Sequence, residues 1–425
     1  MAGLKVLRRQ DTAGMPEDYD LQAPRYGFGV SWVEGARRVD IDLQCVVADD
    51  TGAITDCAYY NNLKAARGIT HSGDEAVGKP NHINEIVWVN FRRLPPNVSV
   101  LVFVVAAYSG GSLQDVVDGK LHVFQERESN EIALFQMERS AAAVDVVAAM
   151  FRGPEGWKMR VIDLPAQDGQ HFMDILPLMA DVIRSFIPSA PSRQKVCFAM
   201  EKGGVLDLPR SLGKITVGLG WDVDAGKVDL DVSAILMDKD ATELEAVFFG
   251  RLESRDHGIM HSGDNLTGEG DGDDEQIVVN LDQIGAVVQQ VFFCVNTYTK
   301  DRFFTHVAQP YCRVVDDASG AELCRYSLRD AGSESGLLIA RIAREVGGRW
   351  GFHALGLPCR GRMWKDSLPQ VRATCGVRTG DLMARSMTTQ EWGAEPSAPP
   401  GPYAPAAAPV VMPPAACSKE KCIVQ

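Results

Sequence analysis

A long stretch of this chain is written twice, and that repeat limits the possible folds more than any other feature. His71-Ser-Gly-Asp74 returns as His261-Ser-Gly-Asp264 at an offset of 190, and Glu85 returns as Glu275 without a gap. Trp32 answers Trp221, and Asp40-Ile-Asp42 answers Asp229-Leu-Asp231. Further on, Gly153-Pro-Glu-Gly-Trp157 parallels Val346-Gly-Gly-Arg-Trp350, Leu164-Pro165 parallels Leu357-Pro358, and Asp174-Ile-Leu-Pro177 parallels Asp366-Ser-Leu-Pro369. A repeat of this length means a duplicated domain. The copies are read as residues 23–188 and 196–378, joined by a linker at 189–195. Residues 1–22 are polar and aperiodic and read as a flexible arm, and 379–425 as a tail. With 425 residues, 45% of them apolar, each copy has enough material to bury a core.

Within each copy the patterning is mainly β. Val98-Ser-Val-Leu-Val-Phe-Val-Val105 and Val291-Phe-Phe-Cys-Val295 are apolar and rich in β-branched residues, as core strands are. Residues 228–232 and the alternating run 276–281 read as strands too. One helix is expected late in each copy. In the second, Leu338, Ile342 and Val346 lie at i, i+4 and i+8, with Ser333 as cap and Gly347 as stop; in the first, Val144, Val147 and Phe151 precede Gly153. Many strands with a few helices define the fold class: a mainly β chain, each copy a β-sandwich with helices packed beside it.

The chemistry concentrates in residues 261–275, HSGDNLTGEGDGDDE. Six carboxylates (Asp264, Glu269, Asp271, Asp273, Asp274 and Glu275) stand there with no Lys or Arg among them, alternating with glycines. Like charges at this density repel unless a cation or solvent separates them. Ca2+ is the natural counter-ion, since it takes six to eight oxygens in flexible geometry, and Asn265 adds a neutral one. The stretch has no Cys, and only His261 at its edge, which argues against zinc and copper. An EF-hand fits poorly, because Leu266 and Glu269 fall where an acid and the turn glycine belong. Upstream, Asp229 and Asp231 project from one face of a strand at period two, and if they face the loop the two form one cage.

The run DLDVSAILMD (229–238) followed by HSGDNLTGEGDGDDEQI (261–277) closely resembles the TerD family of tellurium-resistance and stress-response proteins. The resemblance implies two tandem calcium-binding β-sandwich domains. The expected ligands are Asp229, Asp231, Asp264, Asn265, Glu269, Asp271, Asp273, Asp274 and Glu275, more than one ion needs, so some bind a second ion or support the first. In the first copy the aligned stretch is HSGDEAVGKPNHINE. Asp40, Asp42, Asp74 and Glu85 carry over, but Asn81, Ile83 and Asn84 replace three acids and Lys79 replaces Glu269. A lysine in a calcium cage competes with the ion, so the first copy reads as a degenerate, mainly structural or partner-binding domain with weak or no calcium binding.

A net charge of −13 argues against a general nucleic-acid binder, which needs a basic footprint. The ten Cys are scattered, with no CxxC pair; most read as small buried hydrophobes in a reducing, cytoplasmic compartment. No signal peptide and no run of membrane-helix length is visible. Residues 395–416 are rich in Pro and Ala and read as a disordered spacer. The chain closes on Cys422-Ile-Val-Gln425, which fits a prenylation box, with Cys417 as a second acylation point. The expected function is therefore a non-enzymatic calcium-binding stress or signalling protein, with no catalytic residues, tethered to a cytosolic membrane face. The alternatives are a metal-dependent hydrolase using the same acids with His261 as base, a structural scaffold, or a module binding a nucleotide or other small ligand.

Overall fold

The computed structural model describes residues 4–388 apart from 11–12, 76, 80–81, 109–110, 138, 167, 224–229, 264–271, 300–303, 305–306 and 329–333. Each copy is two β-sheets packed face to face. In the first copy one sheet runs, edge to edge, Lys5–Val6, Glu131–Gln136, Val117–Gln125, Arg25–Val33, Glu85–Asn90, Ile69–His71, Lys64–Ala65. The other runs Asp18–Leu21, Gly156–Ala166, Val144–Gly153, Val98–Ala107, Ile41–Asp49, Ile54–Ala58. The second copy repeats both orders: Phe198–Met200, Glu322–Ser327, Val307–Asp316, Lys214–Val223, Glu275–Asn280, Ile259–His261, and then Val205–Asp207, Trp350–Cys359, Gly336–Arg344, Gln290–Thr297, Leu230–Met237, Glu243–Val247. The duplication read from the sequence is thus a duplication of topology.

Alternation explains the sandwich. In the first copy Phe28, Val30 and Trp32 point inward from one sheet and Leu43, Cys45, Phe103 and Val105 from the other, and all are buried in one cluster. Phe28 and Phe103 stack across it with ring centroids 4.3 Å apart. In each copy the second sheet given above is apolar on its other face as well. In the second copy that face is covered by the helices Trp364–Thr374 and Thr379–Thr388, through Trp364, Val371 and Leu382. In the first, Val46, Val100, Val102, Val104 and Val144 pack against the helix Leu176–Phe186 and join a cluster that runs into the second copy's own core.

This double burial corrects the helix expectation. Residues 144–153 and 336–344 are central strands, and the helices lie after them. A strand buried on both faces reads as a continuous apolar run, in which i, i+4, i+8 matches arise without a helix. The N-terminal arm also departs from its reading. Lys5–Val6 pairs in parallel with Ala133–Leu134, and Asp18–Leu21 pairs with the 157–160 segment, so both belong to the first copy's sheets. Thr379–Thr388, read as the start of the tail, is helical.

The two copies share buried polar contacts beside their common apolar core. Arg349, with a fully buried side chain, donates to both carboxylate oxygens of Asp174 (3.0 and 2.6 Å) and to the Leu208 carbonyl. Asp207 accepts from the Tyr60 hydroxyl at 2.9 Å and from Asn61 Nδ2 at 3.1 Å. Tyr59 donates to the Val205 carbonyl and accepts from the Asp207 N–H. The linker is held too, since the Ile54 N–H donates to the Lys195 carbonyl at 2.8 Å.

Candidate metal centre

The repeated His-Ser-Gly is a backbone device. In the first copy the Gly73 N–H donates to His71 Nδ1 at 3.0 Å, so the proton sits on Nε2, which donates to the Leu43 carbonyl at 3.0 Å. Ser72 makes two bonds to residue 86: its N–H to the Ile86 carbonyl, and its hydroxyl accepting the Ile86 N–H. Gly73 has φ +108°, where a side chain is strained. The second copy repeats every contact: Gly263 N–H to His261 Nδ1, His261 Nε2 to the Val232 carbonyl, Gln276 N–H to Ser262 Oγ, and φ +109° at Gly263. His261 thereby links one sheet to the other through the Val232 carbonyl.

The glutamate shared by the two copies closes the same clamp. Glu85 Oε2 accepts the Leu43 N–H at 2.7 Å, and Glu275 Oε2 accepts the Val232 N–H at 2.8 Å; both glutamates are buried. In the first copy this brings three carboxylates together. Oxygens of Asp42, Asp74 and Glu85 all lie within 4.8 Å of one another, the one such cluster among the described residues. Two unit charges at that separation repel by about 3 kcal/mol at an effective dielectric of ~20. Asp42 is buried, and its Oδ2 accepts no hydrogen bond from the protein; neither does Asp40 Oδ1. Burial, then the neighbouring Glu85, Asp40 and Asp74, push the Asp42 carboxyl well above the usual range, and burial with Asp74 and Glu85 pushes Asp40 up to about 6. Asp74 is exposed and Glu85 accepts the Leu43 and Glu75 N–H groups, while Asp42 is buried with an oxygen that no protein donor uses; hard oxygens so gathered suit a divalent cation of the calcium type. Lys79 does not intrude: its ammonium pairs with Glu75 at 2.5 Å.

The second copy distributes its acids differently from expectation. Asp231 is buried on its strand at the position equivalent to Asp42, and Glu275 matches Glu85. Asp274 accepts the Trp221 N–H at 2.8 Å, a role Asn84 fills for Trp32 at 3.1 Å. Asp273 lies against Gly218, where any Cβ would collide with it. Its Oδ1 accepts from Arg313 Nε (2.7 Å) and the Tyr311 hydroxyl (3.0 Å), and its Oδ2 from Arg313 (3.0 Å) and Gln276 Nε2 (3.0 Å). A carboxylate has about four acceptor positions; Arg313 and Gln276 take three of them, and the Tyr311 hydroxyl divides its one proton between Asp273 and the Gly272 carbonyl at 2.7 Å. Asp229, Asp264, Asn265, Glu269 and Asp271 lie outside the described residues, as do Cys417 and Cys422. The sequence reading missed the Arg313 partner, because a cross-strand cation forty residues away leaves no local signal.

A tandem pair of β-sandwiches, each with an acidic loop clamped by His, Ser and Glu, is the class of protein defined so far. Comparison with known proteins makes it specific. The TerD domain model matches residues 18–173 and 197–364, and the chain belongs to the TerD family. Similar proteins include the tellurium resistance protein TerZ of Serratia marcescens, 42% identical over 168 residues, a match covering 37% of this chain and 86% of that protein. The stress response protein SCP2 of Bacillus subtilis (strain 168) is 36% identical over 185 residues, covering 38% of this chain and 92% of that protein. The tellurium resistance protein TerD of an Alcaligenes species is 36% identical over 172 residues, covering 37% and 89%. Among the described residues, no helix is long and apolar enough to cross a membrane.

Proposed function

We propose that this protein is a TerD-type stress-response protein that binds calcium in both copies and uses the ions for structure and signalling, with no chemistry at the ions themselves. The observation that carries the reading is the convergence of Asp42, Asp74 and Glu85. In the second copy the sequence repeat matches these residues with Asp231, Asp264 and Glu275, and Asp229, Asn265, Glu269 and Asp271 are further candidate oxygen donors. Asp273 and Asp274 are assigned instead to the framework. The relatives named for tellurium resistance and stress response support the biological setting. Anchoring to a cytosolic membrane face through Cys422, with Cys417 as second acyl site, completes the proposal, and an intact mass lacking any lipid counts against it.

Calorimetric titration of the whole chain with Ca2+ and Mg2+ is the test. Calcium is expected to bind in preference to magnesium, and Asp42→Asn is expected to remove about one ion from the stoichiometry. Saturation at one hundred times the dissociation constant stabilises the native state by roughly 2.7 kcal/mol. A stoichiometry unchanged by Asp42→Asn refutes a first-copy site, and a chain that takes up no calcium refutes the whole reading.

A further inference from the structure

On the outer face of the first copy's seven-stranded sheet, three side chains from three strands form a hydrogen-bonded chain. Ser31 Oγ lies 2.8 Å from His122 Nε2, and His122 Nδ1 lies 2.7 Å from Glu131 Oε1. The carboxylate at Nδ1 holds the imidazole proton there, which leaves Nε2 as the acceptor for the Ser31 hydroxyl. A nucleophile and base within ~2.6–3.2 Å, the base oriented by a third group, is the signature of an activated hydroxyl. We infer that Ser31, His122 and Glu131 form an acyl-transfer site in which Ser31 is the nucleophile toward small activated carboxylic esters.

The sheet builds this arrangement by register. Ser31 stands opposite Lys120 and His122 opposite Gly29, so Ser31, Lys120 and His122 project from one face. Simple alternation would put Glu131 on the other face. The register shift between Val123 and Phe124 pairs Glu131 with Phe124, and the bulge turns Glu131 to the side of His122. Ser31 and Glu131 are half-buried, and His122 is 8% exposed. Phe124 stacks beside His122 at 6.0 Å and lies 6.3 Å from Trp88, so one face of the imidazole is packed by an aromatic ring, and both aromatic residues stand opposite Gly27. Lys120, the cross-strand neighbour of Ser31, is paired with Asp118 at 2.7 Å.

The second copy has the same lattice without the relay. Gly220 stands opposite Tyr311, Arg313 opposite Gly218, and Glu322 follows the matching register shift. There the positions of Ser31, His122 and Glu131 hold Gly220, Arg313 and Glu322, and Arg313 donates to Glu322 at 3.2 Å. A framework needs only the cross-strand pair, so the hydroxyl and imidazole are a feature of the first copy alone.

In the step proposed, His122 Nε2 takes the Ser31 proton as Oγ bonds to the ester carbonyl carbon. The carbon–oxygen bond to the leaving group then breaks, and His122 returns the proton to that oxygen, releasing the alcohol. Water repeats the sequence on the acyl-serine, giving the carboxylic acid and restoring Ser31. The site is separate from the carboxylate trio, so it stands or falls independently of calcium binding.

The test is labelling of the full-length protein with a fluorophosphonate, located by peptide mass spectrometry. One adduct is expected, on Ser31, and absent from Ser31→Ala. His122→Gln, with its fold checked by circular dichroism, is expected to slow labelling by about 10²-fold or more, the usual contribution of a general base. Glu131→Gln slows it by a smaller factor, and Glu131→Asp recovers part of that loss. As a second readout, Ser31→Cys should react with iodoacetamide faster than Ser31→Cys combined with His122→Gln. No adduct at Ser31, or labelling equally fast in His122→Gln, overturns the proposal and leaves the three residues as a cross-strand brace.

Discussion

Where the second copy packs Asp273 over Gly218 against Arg313, the first packs Ile83 over Gly29 beside Phe124. Where the second caps the Trp221 N–H with Asp274, the first caps the Trp32 N–H with Asn84. Both first-copy residues read, in sequence, as losses from a metal site. In the structure Ile83 and Asn84 fill the packing and capping positions at which the second copy's Asp273 and Asp274 meet Gly218 and the Trp221 N–H. The trio Asp42, Asp74 and Glu85 survives these exchanges. Acid count in a loop therefore overstates its supply of metal ligands; what matters is which oxygens remain free of protein donors.

The largest expected effect tests whether the copies are separate at all. Arg349 of the second copy is paired with Asp174 of the first, both inside a shared core. Removing one partner of a buried ion pair typically costs about 3–5 kcal/mol. Arg349→Ala should lower stability by that amount and move a single unfolding transition reported alike by probes in both copies. Two transitions in the wild type, only one of which moves, would show that the copies fold independently.

A second comparison sets Asp20 against Asp207, which occupy matching positions on edge strands. Asp20 is exposed and pairs with Lys158 at 3.4 Å, whereas Asp207 is buried at the junction. Burial first, then Glu345, push the Asp207 carboxyl up to about 6, against the opposing pull of Arg349, Asn61 and Tyr60. The native state thus holds a proton that the unfolded chain has already released. Its contribution to stability is fully present below about pH 4 and is lost as the pH rises through 6, by up to about 3 kcal/mol. Asp207→Asn should flatten that part of the profile, gaining on the wild type between pH 4 and 7 in chemical denaturation. Parallel pH profiles for Asp207→Asn and the wild type would mean that Asp207 titrates normally.

Much of this was legible in the sequence. The duplication, the sandwich strands 98–107, 230–237, 275–280 and 290–297, and the His-Ser-Gly motif all follow from local patterns. The strands 144–153 and 336–344 were not, because burial on both faces erases the alternation that marks a strand. The division of labour among the acids was not legible either. Arg313, Trp221 and Val232 reach the acidic loop from other strands, and no spacing within 261–275 encodes them. Ser31, His122 and Glu131 fall on three strands for the same reason, and only a register shift aligns them.

The smallest effect asks whether Asp273 is framework or ligand. Asp273→Ile copies the first copy's Ile83 and leaves Arg313 with Glu322 alone as its carboxylate partner. Stranding a donor in that way costs about 1–3 kcal/mol, partly relieved because the guanidinium is 27% exposed and keeps its bond to Glu322. Adding Arg313→His, the residue at the matching first-copy position, removes the stranded charge and should recover most of the loss, giving a favourable coupling in a double-mutant cycle. Calcium stoichiometry should be the same in all three variants, since Arg313 and Gln276 already occupy three acceptor positions of Asp273 and the Tyr311 hydroxyl lies at the fourth. If Asp273→Ile instead removes an ion while Arg313→His alone leaves binding intact, Asp273 is a ligand and the two copies differ in their metal chemistry after all.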